Sequence, residues 1–134
     1  MPDATKPTIL LIENDEDTRR IYTDVLSHTG VRVLEAGNPY EGFSHLRTQE
    51  LSLIVTDLHM PGGGLEYLAA LRREISTCPI IVITGLGGDT IRQACLRAGA
   101  AAFLEKPIRT KQLREAIARL LPRPERLLNE LCDG

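Results

Sequence analysis

Four chemically capable groups stand where apolar runs of this sequence end. The run at residues 8–13 closes on Glu13 and passes into Asn14 and Asp15, and Leu53-Ile54-Val55-Thr56 is followed by Asp57. Ile80-Ile81-Val82-Ile83 closes on Thr84, and the run at 101–105 is followed by Lys106. If those runs are buried strands, an acidic cluster, a lone carboxylate, a hydroxyl and an ammonium meet at one edge. A carboxylate oxygen can attack phosphorus and form an acyl phosphate, a form of covalent nucleophilic catalysis. Such a transfer is mostly positioning and charge neutralisation. Mg²⁺ takes oxygen ligands and can bridge the accepting carboxylate to the incoming group, while an ammonium and a hydroxyl hold the remaining phosphoryl oxygens. Taken singly, the groups have plainer roles. Asp15 or Asn14 suits a helix N-cap, Thr84 a strand-end hydroxyl, and Lys106 a solvated surface. Asp57 resists such a reading, because a carboxylate closing a buried run needs partners against its desolvation cost. The coincidence of all four at strand ends favours a shared site.

The elements that position them are legible from the hydrophobic period. Apolar runs at residues 8–13, 31–36, 53–56, 80–84 and 101–105 are nearly continuous rather than alternating, as in strands buried on both faces of a parallel sheet. Between them the period becomes helical. Ile21, Val25 and Leu26 fall on one face, as do Ile91, Ala94, Cys95 and Ala98, and then Leu113, Ile117, Leu120 and Leu121. Gly30 and Gly99 suit helix C-termini, and Asn38-Pro39 suits an N-cap followed by proline at the first helical position. Five βα units predict an α/β fold, a doubly wound parallel sheet of flavodoxin-like order 2-1-3-4-5. In such a sheet the carboxyl ends of the strands carry function.

Composition narrows the alternatives. The 134 residues allow one domain with a proper core. Sixteen basic against 18 acidic residues give a net charge of -2, and no basic run marks a nucleic-acid surface, so direct nucleic-acid binding is not expected. No apolar stretch is long enough to span a bilayer, and residues 1–7 lack the apolar core of a signal peptide. Cytoplasmic residence is the expectation. Cys78, Cys95 and Cys132 have no metal-ligand spacing, and an odd count argues against a disulfide framework. Cys95 reads as a small buried hydrophobe. Residues 1–7 read as a tail, 8–121 as the domain, and 122–134, opened by Pro122-Arg123-Pro124, as an appendage or the start of a linker.

The run Ile9-Leu10-Leu11-Ile12-Glu13-Asn14-Asp15-Glu16-Asp17, the loop Asp57-Leu58-His59-Met60-Pro61, the triplet Ile83-Thr84-Gly85 and the segment Phe103-Leu104-Glu105-Lys106-Pro107 occur in this order. In order and spacing they resemble the acidic first-strand motif, phosphoacceptor loop, switch threonine and aromatic-x-x-Lys-Pro signature of response-regulator receiver domains. The likeness covers about residues 8 to 121. It implies that Asp57 is the phosphoacceptor and that Mg²⁺ is the cofactor. It implies that Glu13 holds the metal, usually through water, and that Asn14 and the backbone carbonyl of His59 stand at further ligand positions. Thr84 and Lys106 would bind phosphoryl oxygens, and the rotamer of Phe103 would couple to Thr84. The Lys106–Pro107 bond would be cis. The implied partners are a sensor histidine kinase or phosphotransfer protein and an output domain or target protein, with a weak homodimer as a further association and no membrane contact. Such a domain signals, assisting its own phosphorylation and dephosphorylation, rather than turning over a substrate.

Two departures from the pattern bear on the metal. Asn14 stands where an acid is usual, which removes one negative charge from the pocket. Pro61-Gly62-Gly63-Gly64-Leu65 is one residue shorter than usual, and its glycines predict a flexible loop. A haloacid-dehalogenase-like phosphatase would also use a strand-end aspartate, but it expects a second acid where His59 stands, and a cap domain. The other rival is a pseudo-receiver, the same fold serving as a phosphorylation-independent interaction module.

Overall fold

Branched aliphatic residues fill both faces of the inner strands, so the sheet must be covered on each side by helices. The computed structural model describes residues 6–121. In chain order these form β1 (Thr8–Ile12), α1 (Glu16–Ser27), β2 (Arg32–Ala36), α2 (Pro39–Thr48), β3 (Leu53–Thr56), α3 (Leu65–Glu74), β4 (Ile80–Thr84), α4 (Asp89–Arg97), β5 (Ala102–Glu105) and α5 (Thr110–Leu120). The strands are parallel and ordered β2-β1-β3-β4-β5, the flavodoxin-like order expected of five βα units. Residues 1–5 and 122–134, with Cys132 and the expected appendage, lie outside the described residues.

Successive strand residues enter opposite cores. Ile9, Leu11, Val55, Ile81 and Ile83 pack with Leu26 of α1 and with Leu113 and Ile117 of α5. Leu10, Ile12, Ile54, Ile80 and Val82 pack with Leu68 and Leu71 of α3 and with Cys95 of α4. Each such side chain contributes roughly 1.5–3 kcal/mol when fully buried, so the sheet is the rigid part to which the site is attached. The helical face read for α1 needs correction at one position. Ile21 is 62% exposed, and Tyr22 takes the inward place beside Val25 and Leu26. The inward stripe starts one residue later than the aliphatic residues alone indicate.

Capping directs the first two helices away from the carboxyl edge. Asp15 accepts hydrogen bonds from the Thr18 amide at 2.9 Å and the Thr18 hydroxyl at 2.5 Å, so it caps α1. These bonds hold its carboxyl below the usual range. Asn38 accepts from the Glu41 amide at 2.9 Å, with Pro39 at the first helical position of α2. Glu41 reaches back to the Gly37 amide at 3.0 Å.

The glycine run after β3 is a bonded turn. Gly62 and Gly64 have φ of +77° and +90°, and a Cβ on Gly63 would lie 2.5 Å from the Leu58 carbonyl oxygen. The amides of Gly63 and Gly64 donate to the carbonyls of Met60 and Leu58. Besides the flexibility expected of three glycines, the run serves a close backbone approach at 63 that only glycine permits. Among the described residues no helix is long and apolar enough to cross a membrane.

Candidate functional site

Because β1 and β3 are neighbours, the residues that leave them emerge side by side. Ile12 and Thr56 are register partners, and the Asp57 amide donates to the Ile12 carbonyl at 3.0 Å. This places Glu13 and Asp57 together, with 2% and 5% exposure. Lys106 arrives from the end of β5, its amide donating to the Thr84 carbonyl at 2.9 Å. Its ammonium donates to Glu13 Oε1 at 2.6 Å and to Asp57 Oδ2 at 2.7 Å. The other carboxylate oxygens are also held. The Asp15 amide donates to Glu13 Oε2 at 3.0 Å, and the His59 amide to Asp57 Oδ1 at 2.9 Å.

Two carboxylates therefore share one ammonium, leaving a formal charge of -1 where little water reaches. Burial works to discharge Lys106, but its hydrogen bonds to Asp57 and Glu13 outweigh it and hold its pKa above the ordinary lysine value. The Lys106–Pro107 bond is cis, as the resemblance implies.

The remaining expected residues lie around this triplet at different depths. Thr84 is buried, and its hydroxyl accepts from the Leu86 amide at 3.1 Å, so it serves its own loop. Asn14 and His59 are exposed. With Leu58, Met60, Pro61, Gly63 and Gly64 they line an open cleft of about 390 Å³. His59 meets Asp57 through its backbone amide, while its ring faces outward. Phe103 is half-buried and packs against the core beneath α2, α3 and α4. Of the acidic cluster only Glu13 enters the site, since Asp15 belongs to the α1 cap.

The donor set suits a hard cation held mainly by water. Mg²⁺ is commonly bound through one or two carboxylates and keeps several waters. Here two buried carboxylates carry a charge that one ammonium does not cancel, beside an open cleft rimmed by the Asn14 amide. Among the described residues no group of three or more His, Cys, Asp or Glu side chains gathers that could cage a metal ion.

Three contributors escape sequence reading. Arg19 in α1 donates to the Glu13 carbonyl at 2.7 Å. Tyr22 lies near enough to feel the triplet: burial raises its phenol pKa, Glu13 and Asp57 add to this, and Lys106 opposes it. Glu105 accepts from the Gly88 amide at 2.9 Å, ahead of α4. The available signal for Arg19 is its place four residues after the Asp15 cap. For Tyr22 it is the stripe that runs one residue later. Glu105 offers no signal, because a polar residue at a strand end is ordinary.

A buried strand-end aspartate tied to a lysine from β5, on a five-stranded sheet of this order, defines a class of protein. The response regulator receiver domain family matches residues 9–118, and the chain belongs to it. It is 36% identical to the cyclic di-GMP phosphodiesterase response regulator RpfG of Xanthomonas campestris over 84% of this chain and 31% of that protein. It is 35% identical to the transcriptional regulatory protein AfsQ1 of Streptomyces coelicolor over 90% of this chain and 53% of that one. The chain thus spans about a third to a half of those relatives. A CheY-like receiver domain protein from Methanospirillum hungatei has the same fold, with a TM-score of 0.79 at 24% identity over 96% of this chain and 99% of that chain.

Proposed function

We propose that this chain accepts a phosphoryl group from a histidine kinase or phosphotransfer protein onto Asp57 and passes the change to the surface formed by α4, β5 and α5. The carrying observation is the Lys106 ammonium bonded to both Asp57 and Glu13. It fixes the acceptor carboxylate and stands where charge on an incoming phosphoryl group needs neutralising. A carboxylate oxygen of Asp57 forms the new P–O bond as the donor's P–N bond breaks, and the donor imidazole leaves with a proton. Mg²⁺, held by Glu13, Asp57, the His59 carbonyl and the Asn14 position, would supply charge neutralisation at the same oxygens. Thr84 would exchange its Leu86 partner for a phosphoryl oxygen, and Phe103 would turn into the space released. The domain signals in the cytoplasm rather than turning over a substrate, and an output domain or target protein reads its surface. Residues 8–121 form the signalling unit, flanked by a tail and by an appendage or linker.

Incubation with Mg²⁺ and a small phosphodonor, or with beryllofluoride, tests the proposal. The expected product is an Asp57 adduct located by mass spectrometry or by NMR. A folded protein with no adduct at saturating donor would sink the switch and leave a phosphorylation-independent interaction module, the reading that Asn14 favours. Asn14→Asp bears on the same point. Restoring a negative charge at the rim is expected to tighten Mg²⁺ binding about tenfold. An unchanged metal titration means that position 14 is not a ligand position.

A further inference from the structure

We infer that Arg19 is a positioning residue for the cation subsite, acting through the peptide that joins Glu13 to Asn14. This rests on the receiver reading and adds a part to it. Arg19 Nη1 donates to the Glu13 carbonyl at 2.7 Å, and Arg19 Nε lies 3.3 Å from Glu35 Oε1 on β2. The side chain is 20% exposed. Gly37, just past β2, leaves room for it: a Cβ there would lie 3.1 Å from Nη1. The guanidinium thus forks between the ends of two neighbouring strands, a geometry that the point charge of a lysine does not reproduce.

What Arg19 holds is a hinge between two site positions. The Glu13 carbonyl belongs to the peptide leading into Asn14. The next peptide is held from the other side, because the Asp15 amide donates to Glu13 Oε2. Both peptides flanking Asn14 are therefore tied, one to Arg19 and one to the Glu13 carboxylate itself. Without the first tie, the peptide between 13 and 14 can rotate, shifting the Asn14 amide relative to the Glu13 carboxylate, which Lys106 and the Asp15 amide still hold. Glu35 balances the guanidinium charge and keeps its fork aimed.

Position and charge predict opposite signs. A guanidinium near a cation subsite repels the cation, so by charge alone its removal tightens binding. By position its removal weakens binding. The test uses Mn²⁺ alone as probe, titrated into the full chain and followed by the electron paramagnetic resonance of free Mn²⁺, with circular dichroism confirming the fold. Arg19→Ala and Arg19→Lys are both expected to weaken Mn²⁺ binding about tenfold, the usual scale for losing a group that orients a metal ligand. Glu35→Gln leaves Arg19 in place but unanchored, and is expected to weaken binding about threefold, the scale of a half-exposed ion pair. Unchanged or tighter binding in Arg19→Ala overturns the inference. So does wild-type affinity in Arg19→Lys, since charge would then suffice. If Arg19→Ala does not fold, unaltered affinity in Glu35→Gln overturns it. Absence of saturable Mn²⁺ binding in the wild-type chain overturns the cation subsite itself, and this role with it.

Discussion

An Asp57→Asn protein is expected to take no phosphoryl group and to be the more stable protein. The amide keeps the shape of the carboxylate, and its oxygen can still accept from the His59 amide that now bonds Oδ1 at 2.9 Å. What changes is charge, and the Lys106 ammonium, which donates to Oδ2 at 2.7 Å, is left to Glu13 because an amide nitrogen cannot accept from it. Glu13 and Asp57 are both almost fully buried and both draw on the Lys106 ammonium. With asparagine at 57 the ammonium answers one carboxylate, and the formal charge of the triplet falls to zero. Relief of that repulsion is expected to stabilise the fold by about 1 kcal/mol at neutral pH, within the range by which active-site substitutions commonly raise stability. The nucleophilic oxygen is lost outright, so incorporation from a small phosphodonor falls to background. Urea unfolding and mass spectrometry on one preparation measure both halves. A lower urea midpoint in the variant would mean that the three charged groups stabilise one another, and that the site stores no strain.

Lys106→Met is expected to do the reverse to stability. Methionine fills much the same space but leaves two buried carboxylates facing each other without a cation. Breaking a buried pair by removing one partner costs about 3–5 kcal/mol. Lys106 keeps 24% of its side chain in solvent, so a loss of about 3 kcal/mol, the lower end, is expected. The folded state holds the ammonium's pKa above the ordinary lysine value. Its contribution is therefore complete at neutral pH and is lost as the pH rises through the folded value. The stability gap between wild type and variant should persist to about pH 10 and close above it. Millimolar Mg²⁺ is expected to recover part of the loss at pH 7, since a divalent cation returns positive charge to the same oxygens. A variant as stable as wild type at pH 7 would show that the carboxylates need no cation in this fold.

The fold was legible because its signals are redundant. Continuous aliphatic runs, helical stripes and the Asn38-Pro39 cap each point to the same βα repeat, and the observed strand bounds differ from the apolar runs by at most one residue. The triplet Glu13, Asp57 and Lys106 was legible for a related reason: each residue directly follows a strand, so the sheet alone brings them together. Legibility ends where a side chain can turn more than one way. Thr84 stands at the expected strand end, yet its hydroxyl bonds Leu86. Asp15 shares the acidic cluster with Glu13 but caps a helix, because its own Thr18 competes for it. Arg19 depends on a contact between two strands and a helix that no local pattern encodes.

Glu105 ties the end of β5 to the loop ahead of α4 through the tip of a single side chain. Its carboxylate holds the Gly88 amide, and a Cβ on Gly87 would fall 2.4 Å from that carboxylate carbon. A side chain at 87 would push the Glu105 carboxylate aside. Because that carboxylate is the far end of a flexible, exposed side chain, what is lost is its hold on the Gly88 amide and not the fold. The contact is therefore a latch between the end of β5 and the start of α4, released alike by a larger residue at 87 or by loss of the acid at 105.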